Sequence, residues 1–195
     1  MSDAAQDPRL DVRVGSAPDG LVSIAERSLG AGRSQWAGLT AVVVAAVAGD
    51  QITKGIVTSQ LTVGQSVHVL GPLSIHRVQN SGIAFGLFSS ATVIVMLLTV
   101  VAVGWMLVFF ARSGSRHPVL PAALGLLIGG SVSNLADRVR LGHVTDFLDV
   151  GKWWWTFNLA DSFIVIGVGI LLVALIVADH GPKKTPPRPL DVTAR

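Results

Sequence analysis

Four stretches of this chain are each long and apolar enough to cross a bilayer, and this limits its possible folds more than any other feature. They are WAGLTAVVVAAVAGDQITKGIV (36–57), ATVIVMLLTVVAVGWMLVFFA (91–111), VLPAALGLLIGGSVSNLA (119–136) and SFIVIGVGILLVALIVA (162–178). Crossing the hydrocarbon core takes about 20 mostly apolar residues. Backbone groups in lipid must bond within their own segment, so each stretch is expected to be a helix. The bulk numbers agree, with a mean hydropathy of +0.59 and 14% charged residues, against roughly 25% in soluble domains. Gly129 and Gly130 in the third span suit close helix–helix approach.

The resulting expectation is an all-α membrane protein of four transmembrane helices, with a membrane-embedded domain over 36–178. Flexible tails over 1–35 and 179–195 flank it; the second contains the proline-rich GPKKTPPRPL. The first 35 residues carry both acids and bases and no compact apolar core, so they do not read as a secretory leader. Arginine and lysine fix the expected orientation. Ten of the fifteen fall on one side (Arg9, Arg13, Arg27, Arg33, Arg112, Arg116, Lys183, Lys184, Arg188 and Arg195). The positive-inside rule therefore puts both termini in the cytosol. A net charge of +3 is weak evidence for nucleic acid, and no nucleic-acid partner is expected.

Parity then concentrates the polar residues. With four spans, the ends of the first and third share a side with the starts of the second and fourth. Asp50 and Lys54 end the first span; Asn134, Asp137 and Arg138 end the third; QNSGIAFGLF (79–88) and FNLAD (157–161) lead into the others. All meet on one face, the outer one in the orientation above. The two loops on that face are long. SVHVL and LSIHRV, separated by Gly-Pro, predict a small hairpin within 58–90. Residues 139–160, with Trp153, Trp154 and Trp155, predict a surface loop lying along the interface, which tryptophan favours.

Several of these residues admit two readings. Asp50 and Lys54 stand four apart on one helix face, either as an ion pair that makes burial tolerable or as substrate contacts. Asp137 and Arg138 read as a helix-end pair, with Arg138 able to offer a bidentate fork to carbonyls. Asn134 and Asn158 suit hydrogen-bonding to loop backbone. Asp146 and Asp161 have no cation at helical spacing; Asp161 could cap the fourth helix, and Asp146 could be an ordinary loop acid. The chemical alternative is a carboxylate pair. Two such groups in contact resist double ionisation, so one keeps a proton and polarises a carbonyl while the other activates water. The chain has no cysteine, no HExxH and no GxSxG, and its five histidines lack ligand spacing, so neither a metal nor another cofactor is expected.

Four blocks together, DQITK (50–54), NSGIAFG (80–86), NLADRVRLGHVTDF (134–147) and FNLAD (157–161), resemble the lipoprotein signal peptidase (signal peptidase II) family of bacterial membrane aspartyl proteases. The resemblance spans about residues 36–178. It implies a catalytic dyad of Asp146 and Asp161, supported by Asp50, Lys54, Asn80, Gly82, Ala84, Phe85, Asn134, Asp137, Arg138, Gly142, Asn158 and Ala160. It implies a substrate, the diacylglyceryl-modified prolipoprotein, cut just before the lipid-bearing cysteine. It also implies a bacterial cytoplasmic-membrane location, contact with membrane lipid, an active site at the outer face and inhibition by globomycin-type cyclic peptides. Ser133 departs from the pattern, standing where the family commonly has glycine. Two rivals remain from other classes, a small ion-coupled transporter using Asp50, Lys54 and Asp161, and a non-enzymatic membrane scaffold.

Overall fold

The structure, a computed structural model, describes residues 30–81, 89–113, 118–151 and 155–179. Of the expected site residues, Gly82, Ala84 and Phe85 lie outside these segments, as do Trp153, Trp154 and nearly all of both tails. The described residues form four long helices: α1 (Arg33–Gln60), α2 (Ser89–Ser113), α3 (Leu120–Leu141) and α4 (Leu159–Asp179). All four are long and apolar enough to span a membrane.

Each helix overruns its apolar stretch. α1 begins at Arg33, inside the segment expected to be a tail, and α3 continues from residue 136 to Leu141. Hydropathy ends where charge begins, whereas the i to i−4 ladder continues through polar residues that find partners. α3 stops at Gly142, whose φ of 77° is left-handed and whose N–H donates to the Arg138 carbonyl at 3.0 Å. Only glycine takes that conformation at no steric cost. The turn sends the chain straight into the next strand.

α3 is the central post and packs against all three other helices. Its small residues set the spacing. A Cβ at Gly125 would lie 2.7 Å from the Val42 Cβ of α1, and one at Gly129 would lie 2.7 Å from the Ala46 Cβ. Leu39, Phe110, Leu120, Leu124, Leu127 and Ile128 form the apolar core, with Trp36 edge-on to Phe110 at 5.0 Å. Large apolar residues elsewhere on α1, α2 and α4, such as Ile52, Val101 and Leu175, are exposed, which suits a lipid-facing surface.

The expected hairpin is present as β1 (Ser66–Leu70) and β2 (Leu73–Asn80). The expected surface loop differs: Val144–Asp149 is a third strand, β3, antiparallel to β2 in the order β1-β2-β3. Val78 pairs with Asp146, Gln79 with Thr145 and Asn80 with Val144. VTDFLD does not alternate cleanly because its first four residues are buried on both faces. Phe157 then returns beside Leu148, with Phe157 N–H donating to the Leu148 carbonyl at 3.0 Å. This return delivers the start of α4 to the strand that carries Asp146.

Candidate active site

The site grows from the first turn of α4. Asn158 is buried and precedes Leu159, and its Oδ1 accepts the Asp161 N–H at 3.0 Å; in return Asp161 Oδ2 accepts the Asn158 N–H at 3.1 Å. This is a reciprocal capping box with aspartate at the third helical position. Asp161 therefore does cap the helix, as the sequence allowed, but one oxygen remains for other work. That oxygen, Oδ1, accepts from Asn134 Nδ2 at 2.8 Å.

Asp146 approaches from β3 and is 2% exposed. Its Oδ1 accepts from Asn158 Nδ2 at 2.7 Å and its Oδ2 from Asn80 Nδ2 at 2.8 Å. The Asn158 side chain thus spans the two acids, donating to one carboxylate and accepting from the backbone of the other. Burial pushes the Asp146 carboxyl up from its ordinary value; the Asn80 and Asn158 amides oppose this, and the nearby Asp161 charge reinforces it. The two acids come from segments 15 residues apart.

Behind them lies a buried charge network. Lys54 Nζ contacts Asp50 Oδ2 at 2.6 Å, Asp137 Oδ2 at 2.8 Å and Asn134 Oδ1 at 2.9 Å, using all three ammonium donors. Asp50 also accepts from Ser133 Oγ at 2.7 Å and from the Ala160 N–H at 2.9 Å. Asp137 accepts from Gln51 Nε2 at 2.8 Å and from the Thr145 N–H at 3.3 Å. Through these bonds α1, α3, β3 and α4 are fixed to one another directly beside the acids.

The expected Asp50–Lys54 pair is therefore present. Asp137, by contrast, pairs with Lys54 and Gln51 rather than with Arg138. Adjacent residues on a helix do not face each other. Arg138 instead donates from Nη1 to the Asn134 carbonyl at 3.2 Å, and its buried Nε has no partner among the described residues. Asn80, Asn134, Asn158 and Ala160 are all brought to the acids, while Gly142 acts one step back as the turn that launches β3. Gln51 and Thr145 escaped sequence reasoning, and Ser133 was noticed only as a departure. The signal was available for Ser133, which sits four residues before Asp137 on the same helical face.

All the buried polar and charged side chains among the described residues (Asp50, Lys54, Ser133, Asn134, Asp137, Thr145, Asp146 and Asn158) belong to this one end of the bundle. Fold and site together define the class, a multi-pass membrane enzyme. Two solved structures share the fold, both described as bacterial membrane enzymes obtained by the in meso method. One, at 2.3 Å resolution, has a TM-score of 0.69 and 29% identity, covering 77% of this chain and 94% of that one. The other, at 1.9 Å, has a TM-score of 0.67 and 31% identity, covering 71% and 92%. The family model described as signal peptidase (SPase) II matches residues 42–177. The lipoprotein signal peptidase of Symbiobacterium thermophilum is 33% identical over 146 residues, 71% of this chain and 94% of that protein. That of Pelotomaculum thermopropionicum is 40% identical over 137 residues, 69% and 90%. The chain belongs to the signal peptidase II family, whose members are aspartic peptidases.

Proposed function

We propose that this protein removes the signal peptide from diacylglyceryl-modified prolipoproteins, with Asp146 and Asp161 as the catalytic pair. The observation that supports the reading is that Asn158 donates to both carboxylates, from its side-chain amide to Asp146 and from its backbone N–H to Asp161. Asp146 is assigned the role of acid because burial raises its carboxyl pKa, which favours the protonated form that can direct a proton at the scissile carbonyl oxygen. Asp161, half-buried and open to water, is the base. It takes a proton from water, and the hydroxide adds to the carbonyl carbon. The tetrahedral intermediate then collapses as that proton passes to the departing amide nitrogen and one hydroxyl returns its proton to Asp146, leaving a carboxylic acid and a free amine. Arg138, half-buried beside the acids, offers its guanidinium to a substrate carbonyl.

Cleavage takes place just before the lipid-bearing cysteine, at the outer face of the bacterial cytoplasmic membrane, with both termini cytosolic. The short 112–118 connection, with Arg112 and Arg116 and no acid, supports this orientation. The family resemblance supports a substrate-binding role for Gly82, Ala84 and Phe85 and inhibition by globomycin-type cyclic peptides. The test is cleavage of a purified diacylglyceryl-prolipoprotein with chelator present. Asp146→Asn and Asp161→Asn should each lose activity by about 10²–10⁴-fold while remaining in the membrane. Undiminished release of signal peptide by either variant refutes the assignment.

A further inference from the structure

Lys54 is a buried cation that takes no part in the proton transfers above, yet the direction of its hydrogen bonds bears on them. An ammonium donates and never accepts. Two of its hydrogens go to Asp50 Oδ2 at 2.6 Å and Asp137 Oδ2 at 2.8 Å, and the third reaches Asn134 Oδ1 at 2.9 Å. Asn158 Nδ2 donates to the same amide oxygen at 3.1 Å. Asn134 must therefore turn its carbonyl towards these donors, and its amino group then faces Asp161 Oδ1, 2.8 Å away. The Asn158 N–H holds the other oxygen, Oδ2, at 3.1 Å. The Asn134 bond is the second of the two points that fix the plane of this carboxylate.

The bonds run one way, from ammonium to amide to carboxylate, through side chains that are buried at both Lys54 and Asn134. With the amide turned over, its amino group would face the ammonium and its carbonyl would face the Asp161 carboxylate. Two attractive contacts would become two repulsive ones, with little water to soften them. Without the ammonium, the acceptors left around its place, Asp50 Oδ2 and Asp137 Oδ2, draw the amino group away from Asp161. We propose that Lys54 is a positioning residue that acts through Asn134, a role that rests on Asp161 being the base. It keeps the amide in the one orientation that donates to Asp161, and so aims the oxygen that takes a proton from water. Asparagine suits position 134 because the relay needs an acceptor and a donor on one short side chain; aspartate supplies only the first.

The test is a double-mutant cycle on cleavage of the purified diacylglyceryl-prolipoprotein by the full chain in detergent, with kcat and KM measured separately. Lys54→Gln keeps a donor but lets its amide face either way. Its kcat should fall about tenfold with KM held within about twofold. Asn134→Ala should lower kcat by about 10²-fold, and adding Lys54→Gln to it should change kcat by less than about twofold. Losses that multiply overturn the proposal, because a residue that only supports the fold lowers both backgrounds alike. An unchanged kcat in Lys54→Gln also overturns it. Asn134→Asp decides the matter if Lys54→Gln does not fold, since it still accepts from Lys54 but cannot donate to Asp161. Its kcat should fall by about 10²-fold at an unchanged thermal midpoint, and undiminished turnover overturns the relay. Asp161→Asn, assayed alongside, keeps the two readings apart. Cleavage by that variant refutes the peptidase assignment itself, whereas its inactivity together with multiplying losses at positions 54 and 134 removes the relay alone.

Discussion

Asn158 does three things that no other residue in the site could do together. It starts α4, it donates to Asp146, and it receives the Asp161 N–H. Asn158→Ala is expected to cost about 1 kcal/mol through the lost cap. Because both acids lose their common reference, turnover should fall by about 10²-fold. Measuring kcat beside thermal stability separates the two effects, and a drop confined to stability would limit Asn158 to capping. Asp146 adds a pH signature. Its folded pKa is raised, chiefly by burial, so the folded state holds the proton more tightly than the unfolded chain. Its contribution to stability is full below the unfolded value, about 3.9, and is lost as pH rises through the folded one. Wild type should therefore lose stability relative to Asp146→Asn over that interval. Cleavage should fall on the alkaline side above the ordinary carboxylate range. A stability difference that stays flat with pH would contradict the burial argument.

Among the elements, α3 and α4 meet so closely that the site is sensitive to a single methyl group. A Cβ on Gly130 would land on the Ala160 carbonyl, one residue from Asp161, whereas one on Gly169 meets nothing within 4 Å. Gly130→Ala should push the first turn of α4 away and reduce cleavage by tenfold or more, while Gly169→Ala leaves activity within twofold. Equal activity in the two variants would show that α4 can shift without moving Asp161. The elements also show where sequence reasoning reached and where it stopped. The helices were legible because lipid demands a long apolar run. The β1–β2 hairpin was legible because SVHVL and LSIHRV flank a Gly-Pro turn. Strand β3 was not, because Val144, Thr145, Asp146 and Phe147 are all buried and leave no alternation to read. For the site, Asp50 with Lys54 was visible as an i,i+4 pair. Asp137 with Lys54, 83 residues apart by number, depends on a tertiary contact that no local pattern encodes. Gln51 was hidden for the same reason, since its partners Ser133 and Asp137 lie on another helix.

At the scale of the whole molecule, the Lys54 cluster is the joint between α1, α3 and, through Ala160 and Asn134, α4. Removing one partner of a buried ion pair strands the others, so Lys54→Met should destabilise the protein by about 3–5 kcal/mol. Thermal unfolding in detergent measures this; an unchanged midpoint would mean that Asp50 and Asp137 are already satisfied without the ammonium.

The same joint has a consequence for how the protein is made. The ribosome finishes Asp50 and Lys54 about 80 residues before Ser133, Asn134 and Asp137 exist. During that interval the nascent first helix carries two charges into the bilayer with only each other for company. Its i,i+4 spacing lets the segment tolerate lipid until the later partners arrive, and synthesis interrupted before the third helix would leave an insertion intermediate suited to quality-control proteolysis.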